Sequence, residues 1–391
     1  MSFVLAIWGI LCFLFLGIQG SYYMYLWRVS RKPWNLRINK TYMPQISVIV
    51  PLHNEEKTIE FKLQNLCKVK YPKEKMQIIL VNDASTDKTL EKVHNFLGKN
   101  HELNTVVLSE TEHHGKSYAL NIALKQAKHD IIIVSDADTF WSPDILIKAL
   151  PFLSDPSVGA VSGRQILFNS RKSLLTQTEK NYLNFTYNII KLGESKVHST
   201  ILFHGLFSAY KRKFLKQFNL ETDDSGTALD IIQNGARTIY VPGTKCYEIP
   251  PLTWKGKIRT KFRRASQLIG IYVRCLKLLL KKRLIFPRRI AIVEIFIYLI
   301  NPIIFLLLIF TSVLFLATHL NYLLYTIVIL LFLLAAITKF RLLFVEALQD
   351  NCILLLALFT FVLGKKFLMW ETLEESRSML SEEMLKKENL I

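Results

Sequence analysis

Cysteine is scarce and scattered in this chain. Cys12, Cys67, Cys246, Cys275 and Cys352 form no C-x-x-C pair. That argues against a zinc site or a disulfide framework and is compatible with a reducing compartment. Acidic residues are also few: 31 Asp and Glu face 50 Lys and Arg, a formal net charge of +19. Such a balance suggests an anionic partner: nucleic acid, a membrane surface or a phosphorylated substrate. No internal repeat and no low-complexity segment stands out. No basic residue precedes the first apolar run and no small-residue cleavage site follows it, so a signal peptide is not expected.

Apolar sequence is what the chain has in excess, 51% of its 391 residues, gathered at the two ends. Phe3 to Leu26 is long enough to cross a bilayer. Arg28, Arg31, Lys32, Arg37 and Lys40 follow, so the positive-inside rule puts residue 28 onward in the cytoplasm. Tyr22, Tyr23, Tyr25, Trp27 and Trp34 read as an interfacial aromatic belt. Ile290–Ala317 and Tyr322–Thr338 are two further spans, with a kink expected at Asn301-Pro302. Glu294 inside the first of them calls for a protein partner, or else sits at headgroup level beside Arg288 and Arg289. Leu342–Leu363 is apolar but carries Glu346, Gln349, Asp350 and Asn351, so it reads either as a third crossing or as a surface-lying helix. Lys365-Lys366 behind it favour a cytoplasmic end. Thr253–Arg283 holds eleven Lys or Arg and no acid, interleaved with apolar residues. That is a basic amphipathic pattern, expected on an anionic membrane face rather than on nucleic acid.

Between the ends, strands and helices alternate. Ile46–Val50, Gln77–Val81, Thr105–Leu108, Ile131–Val134, Val158–Val161 and Thr238–Val241 read as strands, with helical spacing at Glu55–Lys68, through Leu97, after Gly115 and over Leu174–Lys191. This pattern predicts an α/β domain with a mostly parallel, Rossmann-like sheet and helices on both faces. Polar segments follow each strand, so they collect at the carboxyl edge where α/β folds place ligands. The central one is Asp136-Ala137-Asp138. Two carboxylates one residue apart suit a hard cation, Mg²⁺ or Mn²⁺, shared with phosphate oxygens. The plain alternative is an Asp-rich turn before the helix near Ser142-Pro143.

Taken in order, Pro51-Leu52-His53-Asn54-Glu55, Asn82-Asp83-Ala84-Ser85, His114-Gly115-Lys116, Asp136-Ala137-Asp138 and Thr222-Asp223-Asp224 resemble the motifs of the inverting family 2 glycosyltransferases of GT-A fold. The resemblance is to the membrane-anchored branch that includes cellulose, chitin and hyaluronan synthases, and covers about residues 45–270. It implies roles for each position. Asn54 and Glu55 match a donor-binding segment whose acid contacts the nucleoside, and Asp83 would hydrogen-bond the uracil or ribose. Lys116 would stand near the base and phosphates, and Asp136 and Asp138 would bind the metal, Asp138 as the direct ligand and Asp136 also on the donor. Asp224 would be the general base, with Asp223 in place of the family's usual Glu. Processive synthases carry Q-x-x-R-W near the acceptor. The matching run here is Lys261-Phe262-Arg263-Arg264-Ala265, so Arg264 is kept for the donor diphosphate and the Trp platform is replaced by Ala265. Arg263 and Trp254 stand close in sequence as acceptor-side candidates, Trp254 equally as an interfacial anchor. Capping of a helix at Thr227–Gln233 is the alternative role for Asp223 and Asp224.

The expected organisation is a transmembrane helix at 1–28, a cytoplasmic GT-A domain at 45–250 and basic amphipathic helices at 251–288. Two or three spans at 289–364 and a cytoplasmic tail at 365–391, its polar part 371–391 a loose helix, complete it. The expected function is transfer from a nucleotide-sugar, a UDP-sugar foremost, to a lipid-linked or glycan acceptor at the cytoplasmic face of the cell membrane, without nucleic acid. A processive polysaccharide synthase is the enzyme alternative, and a non-catalytic scaffold or transporter the alternative of another class.

Overall fold

The computed structural model describes residues 2–100, 102–168, 174–251, 253–318, 325–327, 329–331, 333, 338–364 and 379–391. In chain order its first elements are α1 (Leu5–Ser30), β1 (Ile46–Leu52), α2 (Ile59–Lys68), β2 (Met76–Asp83), α3 (Thr89–Lys99), β3 (Asn104–Glu110), α4 (Lys116–Gln126) and β4 (Ile131–Val134). Then come β5 (Phe140–Trp141), α5 (Ile145–Ala149), β6 (Val158–Leu167), α6 (Leu174–Phe185), α7 (Leu192–Val197), β7 (Ser208–Lys211), α8 (Ser225–Gln233) and β8 (Arg237–Glu248). The last are α9 (Trp254–Leu280), α10 (Arg288–Ala317), α11 (Thr338–Val362) and α12 (Glu382–Lys387). Two compact units result. An α/β unit takes Val29–Ser170, Ile190–Leu252 and Leu368–Ile391, and a helical unit takes Met1–Arg28, Arg171–Ile189 and Thr253–Phe367.

In the α/β unit, the strands among the described residues form one eight-stranded sheet in the order β3-β2-β1-β4-β7-β6-β8-β5. β1 and β2 are buried at every residue, as apolar runs covered on both faces should be. Ile49 of β1 stands beside Ile79 of β2 and Val134 of β4, all parallel, so the carboxyl ends of these strands open on one edge. Val48, Leu80 and Ile133 pack with Leu63, Leu66 and Val93 of α2 and α3 on one face. Ile49, Val81 and Ile132 pack with Leu120, Ala123 and Ile231 of α4 and α8 on the other. The expectation of a mostly parallel sheet holds for β3-β2-β1-β4. Beyond β4 the sheet is mixed, because β7 runs antiparallel to both β4 and β6 and β5 antiparallel to β8. These two inserted strands span four and two residues, too short to show a period.

Two local expectations are corrected in this unit. Trp34 is not an interfacial anchor: its ring meets Phe152 edge-on at 5.3 Å, with the Lys196 ammonium 5.5 Å from its centroid. The tail is not loose in its described part. Leu385 and Leu390 are fully buried against Phe140, Phe168, Tyr247 and Ile249, and the Asn65 amide of α2 donates to the Leu390 carbonyl at 2.7 Å.

Among the described residues, α1 and α10 of the helical unit are the two helices long and apolar enough to cross a membrane, and both are largely uncovered by protein. They meet through Trp8, whose indole N–H donates to Ser312 Oγ at 2.8 Å, and through a stack of Phe15 on Phe305 at 5.6 Å. α10 widens into a π-turn over Phe296–Ile300 directly before Asn301-Pro302. The missing N–H and ring bulk of Pro302 account for that break in the usual ladder. Glu294 has a protein partner: the Tyr272 hydroxyl of α9 donates to it at 2.6 Å. The basic stretch is one helix, α9, capped by Thr253 Oγ1, which accepts from the Gly256 N–H. The acids of α11 are explained by α9. Lys257 Nζ donates to Glu346 at 2.8 Å, and Lys261 Nζ to Glu346 and Asp350 at 2.6 and 2.7 Å. The polar half of that segment is therefore a packing face for α9. The expected span Tyr322–Thr338 lies largely outside the described residues.

Candidate active site

Three motifs that are far apart in sequence, those of Lys116, Asp136 and Asp223-Asp224, converge at the carboxyl edge of the parallel strands. β4 ends at Val134, and the Ser135 N–H still bonds the Ile49 carbonyl of β1 at 3.0 Å, so the turn begins flush with the sheet. The Asp136 N–H then donates to the Gly205 carbonyl at 3.0 Å. Lys116, the first residue of α4, projects its ammonium into the group. It stands 2.8 Å from Asp136 Oδ1, 2.8 Å from Asp223 Oδ2 and 3.9 Å from Asp224 Oδ2. Gly205 leaves room for this arrangement: a Cβ there would lie 2.6 Å from Asp136 Oδ2 and closer still to the Lys116 ammonium, so these side chains would have to shift. Gly115, just ahead of Lys116, has φ of +91°, a conformation that a side chain would strain.

Charge sets the electrostatics of this cluster. Burial alone would depress the Lys116 ammonium, but Asp136, Asp223 and Asp224 outweigh it and hold its pKa well above the ordinary value. The Asp224 carboxyl is pushed up to about 7, first by burial and then by Asp223, with Lys116 opposing the rise. Asp224 occupies the N-cap of α8, yet its side chain accepts no capping hydrogen bond. The alternative reading of this acid as a helix cap is thus not realised.

The nucleoside-side candidates are placed differently from the acids. Asn54 and Ala84 both have positive φ, so the loops after β1 and β2 are held in sparsely populated conformations. Asn54 links them: its N–H donates to Ser85 Oγ at 2.9 Å and its Oδ1 accepts from the Thr86 N–H at 2.8 Å. Glu55 has no exposed surface; its carboxylate accepts from Thr58 Oγ1 at 2.6 Å, so it braces the start of α2. Asp83 is 1% exposed and binds the loop ahead of α4, accepting the N–H groups of His114 and Gly115 at 3.0 and 2.8 Å. His113 Nδ1 stands 2.9 Å from the same carboxylate, and the His113 ring stacks on His53 at 3.9 Å. Arg263, Arg264 and Trp254 lie on α9 in the helical unit. Trp254 is 40% exposed with Lys257 Nζ 5.3 Å from its ring, and Ala265 is buried.

Lys62 of α2 also reaches the turn, although motif spacing does not single it out. It is fully buried, and its Nζ donates to Ser135 Oγ at 2.5 Å and to the Thr139 carbonyl at 2.7 Å. A signal existed in the pattern: Lys62 shares the apolar face of α2 with Ile59, Leu63 and Leu66, where a lysine needs a buried acceptor.

No group of three or more His, Cys, Asp or Glu side chains among the described residues forms a self-sufficient metal cage. The site instead suits a cation that takes its remaining oxygens from a substrate diphosphate. Asp136 Oδ1 supports this. It is buried and accepts no well-directed hydrogen bond even with Lys116 at ion-pair distance. Asp138, two residues on, is half-buried at the same turn.

The sequence profile of the family described as "Glycosyltransferase like family 2" matches residues 44–266. A solved mannosyltransferase from Pyrobaculum calidifontis, determined in complex with GDP-Man and Mn²⁺, superposes with a TM-score of 0.76 at 29% identity. That alignment covers 93% of this chain and all of that one. The poly-β-1,6-N-acetyl-D-glucosamine synthase of Staphylococcus aureus strain COL is 29% identical over 254 residues, 62% of this chain and 60% of the synthase. A probable glycosyltransferase of Bacillus subtilis, YdaM, is 28% identical over 292 residues, 72% of this chain and 69% of that protein. The chain thus spans about 60% of the length of the first of these curated relatives. With the profile covering more than half of the sequence, and the sheet and its acidic edge built as described, the chain belongs to glycosyltransferase family 2 and has the GT-A fold.

Proposed function

We propose that the chain transfers a sugar, with inversion, from a nucleotide-sugar to a lipid-linked or glycan acceptor at a membrane surface. The observation that carries this reading is the convergence of Asp136, Asp223 and Asp224 on Lys116 at one sheet edge. Sugar transfer needs charge neutralised on a leaving diphosphate and a proton taken from the attacking hydroxyl. Asp136 and Asp138 would hold Mg²⁺ or Mn²⁺, which when bound supplies Lewis-acid stabilisation of the diphosphate. Lys116 adds a second positive charge beside it. Asp224 is the general base: a carboxyl near pKa 7 is ionised often enough at neutral pH and still basic enough to accept a proton in the transition state. Asp223 keeps that pKa raised. Asn54 and Asp83 shape the nucleoside side, Glu55 supports their loop, and Arg264, Arg263 and Trp254 are assigned to diphosphate and acceptor.

A UDP-sugar is the donor expected from the motifs, while the mannosyltransferase similar over nearly the whole chain was solved with GDP-Man. The apolar helices α1 and α10 and the basic face of α9 support an integral membrane enzyme with its catalytic domain in the cytoplasm, spans at 1–28 and within 289–364, and lipid contact along 251–288. The synthase relative favours a second reading, a processive polysaccharide synthase. Against processivity stands Ala265, buried where processive enzymes carry a stacking Trp. One experiment tests these readings. The full chain in detergent is incubated with Mn²⁺ and a panel of UDP- and GDP-sugars plus membrane-lipid extract, and products are sized by mass spectrometry. One or two sugars added to a lipid or glycan support the reading. High polymer from few primers would shift it to the synthase. Nucleotide release with no acceptor-dependent product from any donor would overturn both.

A further inference from the structure

Two side chains of α2 grip the segment that follows β4 from behind. Lys62 Nζ bonds Ser135 and Thr139, the residues on either side of Asp136-Ala137-Asp138. One helical turn on, Asn65 brackets Trp141, accepting its N–H at 2.8 Å and donating to its carbonyl at 2.9 Å. The held segment is in turn bonded to the loop that carries Gly205. The Trp141 indole N–H donates to the Leu206 carbonyl at 2.8 Å, and Ser135 and Thr139 hydroxyls approach the same oxygen at 3.3 and 3.4 Å. Thr139 Oγ1 also bonds the Asp136 carbonyl at 3.0 Å. A lysine without exposed surface is costly to retain unless its donors are used, and here they meet both flanks of one turn. The Lys62 ammonium also lies 4.9 Å from the Trp141 ring.

We infer that Lys62 is a positioning residue for the Asp136–Asp138 turn: it clamps Ser135 and Thr139 so that the two carboxylates face an incoming cation in a preset arrangement. The inference rests on the reading of that turn as the metal-diphosphate site. The lysine bonds Ser135 and Thr139 rather than either carboxylate, so it acts through the turn. Burial drives its pKa down to about 7, with Asp136, Cys246 and Asp138 pulling the other way, so the carboxylates help keep the clamp charged. Outer partners that orient metal ligands commonly govern affinity by about 10- to 100-fold when removed.

The test is a titration of Mn²⁺ into the full chain in detergent, free ion read by electron paramagnetic resonance, alone and with UDP or GDP present. Lys62→Met keeps the length and removes the donors. It is expected to weaken Mn²⁺ binding about 10-fold or more and to raise the Mn²⁺ needed for half-maximal transfer, with little change in donor half-saturation at excess metal. Ser135→Ala, which removes one of the two anchor points together with that hydroxyl's contact to the Leu206 carbonyl, moves the same readouts in the same direction by less. If Lys62→Met does not fold, Lys62→Gln, too short to bridge both anchor points, is read in its place. Unchanged Mn²⁺ affinity in the folded variants overturns the inference. So does tighter binding, which would make Lys62 a competing charge rather than a clamp. Asp138→Asn is the control. If it binds Mn²⁺ like the unaltered chain, the metal-site reading fails and takes the inference with it. If it loses Mn²⁺ while Lys62→Met and Ser135→Ala do not, only the role of Lys62 fails.

Discussion

Both units place lysines among carboxylates, and they do so in different ways. In the helical unit, Lys257 and Lys261 make directed hydrogen bonds: Lys257 to Thr178 and Glu346, both at 2.8 Å, and Lys261 to Glu346 and Asp350. In the α/β unit, Lys116 lies at ion-pair distance from Asp136 and Asp223, but the nearest oxygens of both acids are buried without a well-directed hydrogen bond. The first arrangement is a fastening between α9 and α11. The second is a cluster whose acids keep acceptor capacity to offer a ligand.

That contrast can be broken at either end. The largest effect is expected at the cluster: Asp224→Asn should lower the transfer rate by ~10²–10⁴-fold while leaving nucleotide binding in place, because only proton acceptance is lost. Rapid-quench rates beside a nucleotide-binding isotherm check this, and near-normal turnover would remove Asp224 from the mechanism. At the fastening, Glu346→Ala should destabilise the protein by ~3–5 kcal/mol, since two buried ammonium groups lose their shared acceptor. Replacing Lys257, Lys261 and Glu346 together by apolar residues should cost less. Thermal melts in detergent measure both, and an unshifted melt for Glu346→Ala would mean that the network adds nothing to stability. The smallest effect concerns pH. As the proposed general base, Asp224 must be ionised to accept a proton, so kcat/KM should fall as pH drops through about 7. Asp223 raises that pKa, so Asp223→Asn should move the acid limb to lower pH; a limb that stays in place would show that another group sets it.

The sequence was most legible where information is local. Apolar runs bounded by polar residues located β1, β2, β4, β6 and β8, and the ordered motifs after them pointed to the sheet edge where Asp136 and Asp224 stand. The basic pattern of α9 was readable from its own residues, as was the need of Glu294 for a partner. Asp83 and Glu55 were less so. Their types and positions were plain, but their hydrogen bonds to the loop ahead of α4 and to Thr58 depend on how loops from neighbouring strands fold over each other.

What the sequence determined by itself was the longer strands and the main helices of the α/β unit, the family motifs and the long apolar helices α1 and α10, because periodicity and turn chemistry act over a few residues. Only the tertiary structure decided which distant groups share a site. The insertion of antiparallel β7 beside β4 carries the Gly205–Leu206 loop to Asp136, where Lys116 can stand between acids from motifs far apart in sequence. The same holds for Lys62 beneath the turn, for Glu346 beneath α9, and for Leu385 and Leu390 docked beside Phe140. In each case a buried charge or an apolar side chain finds its partner far along the chain, and no local pattern encodes which one.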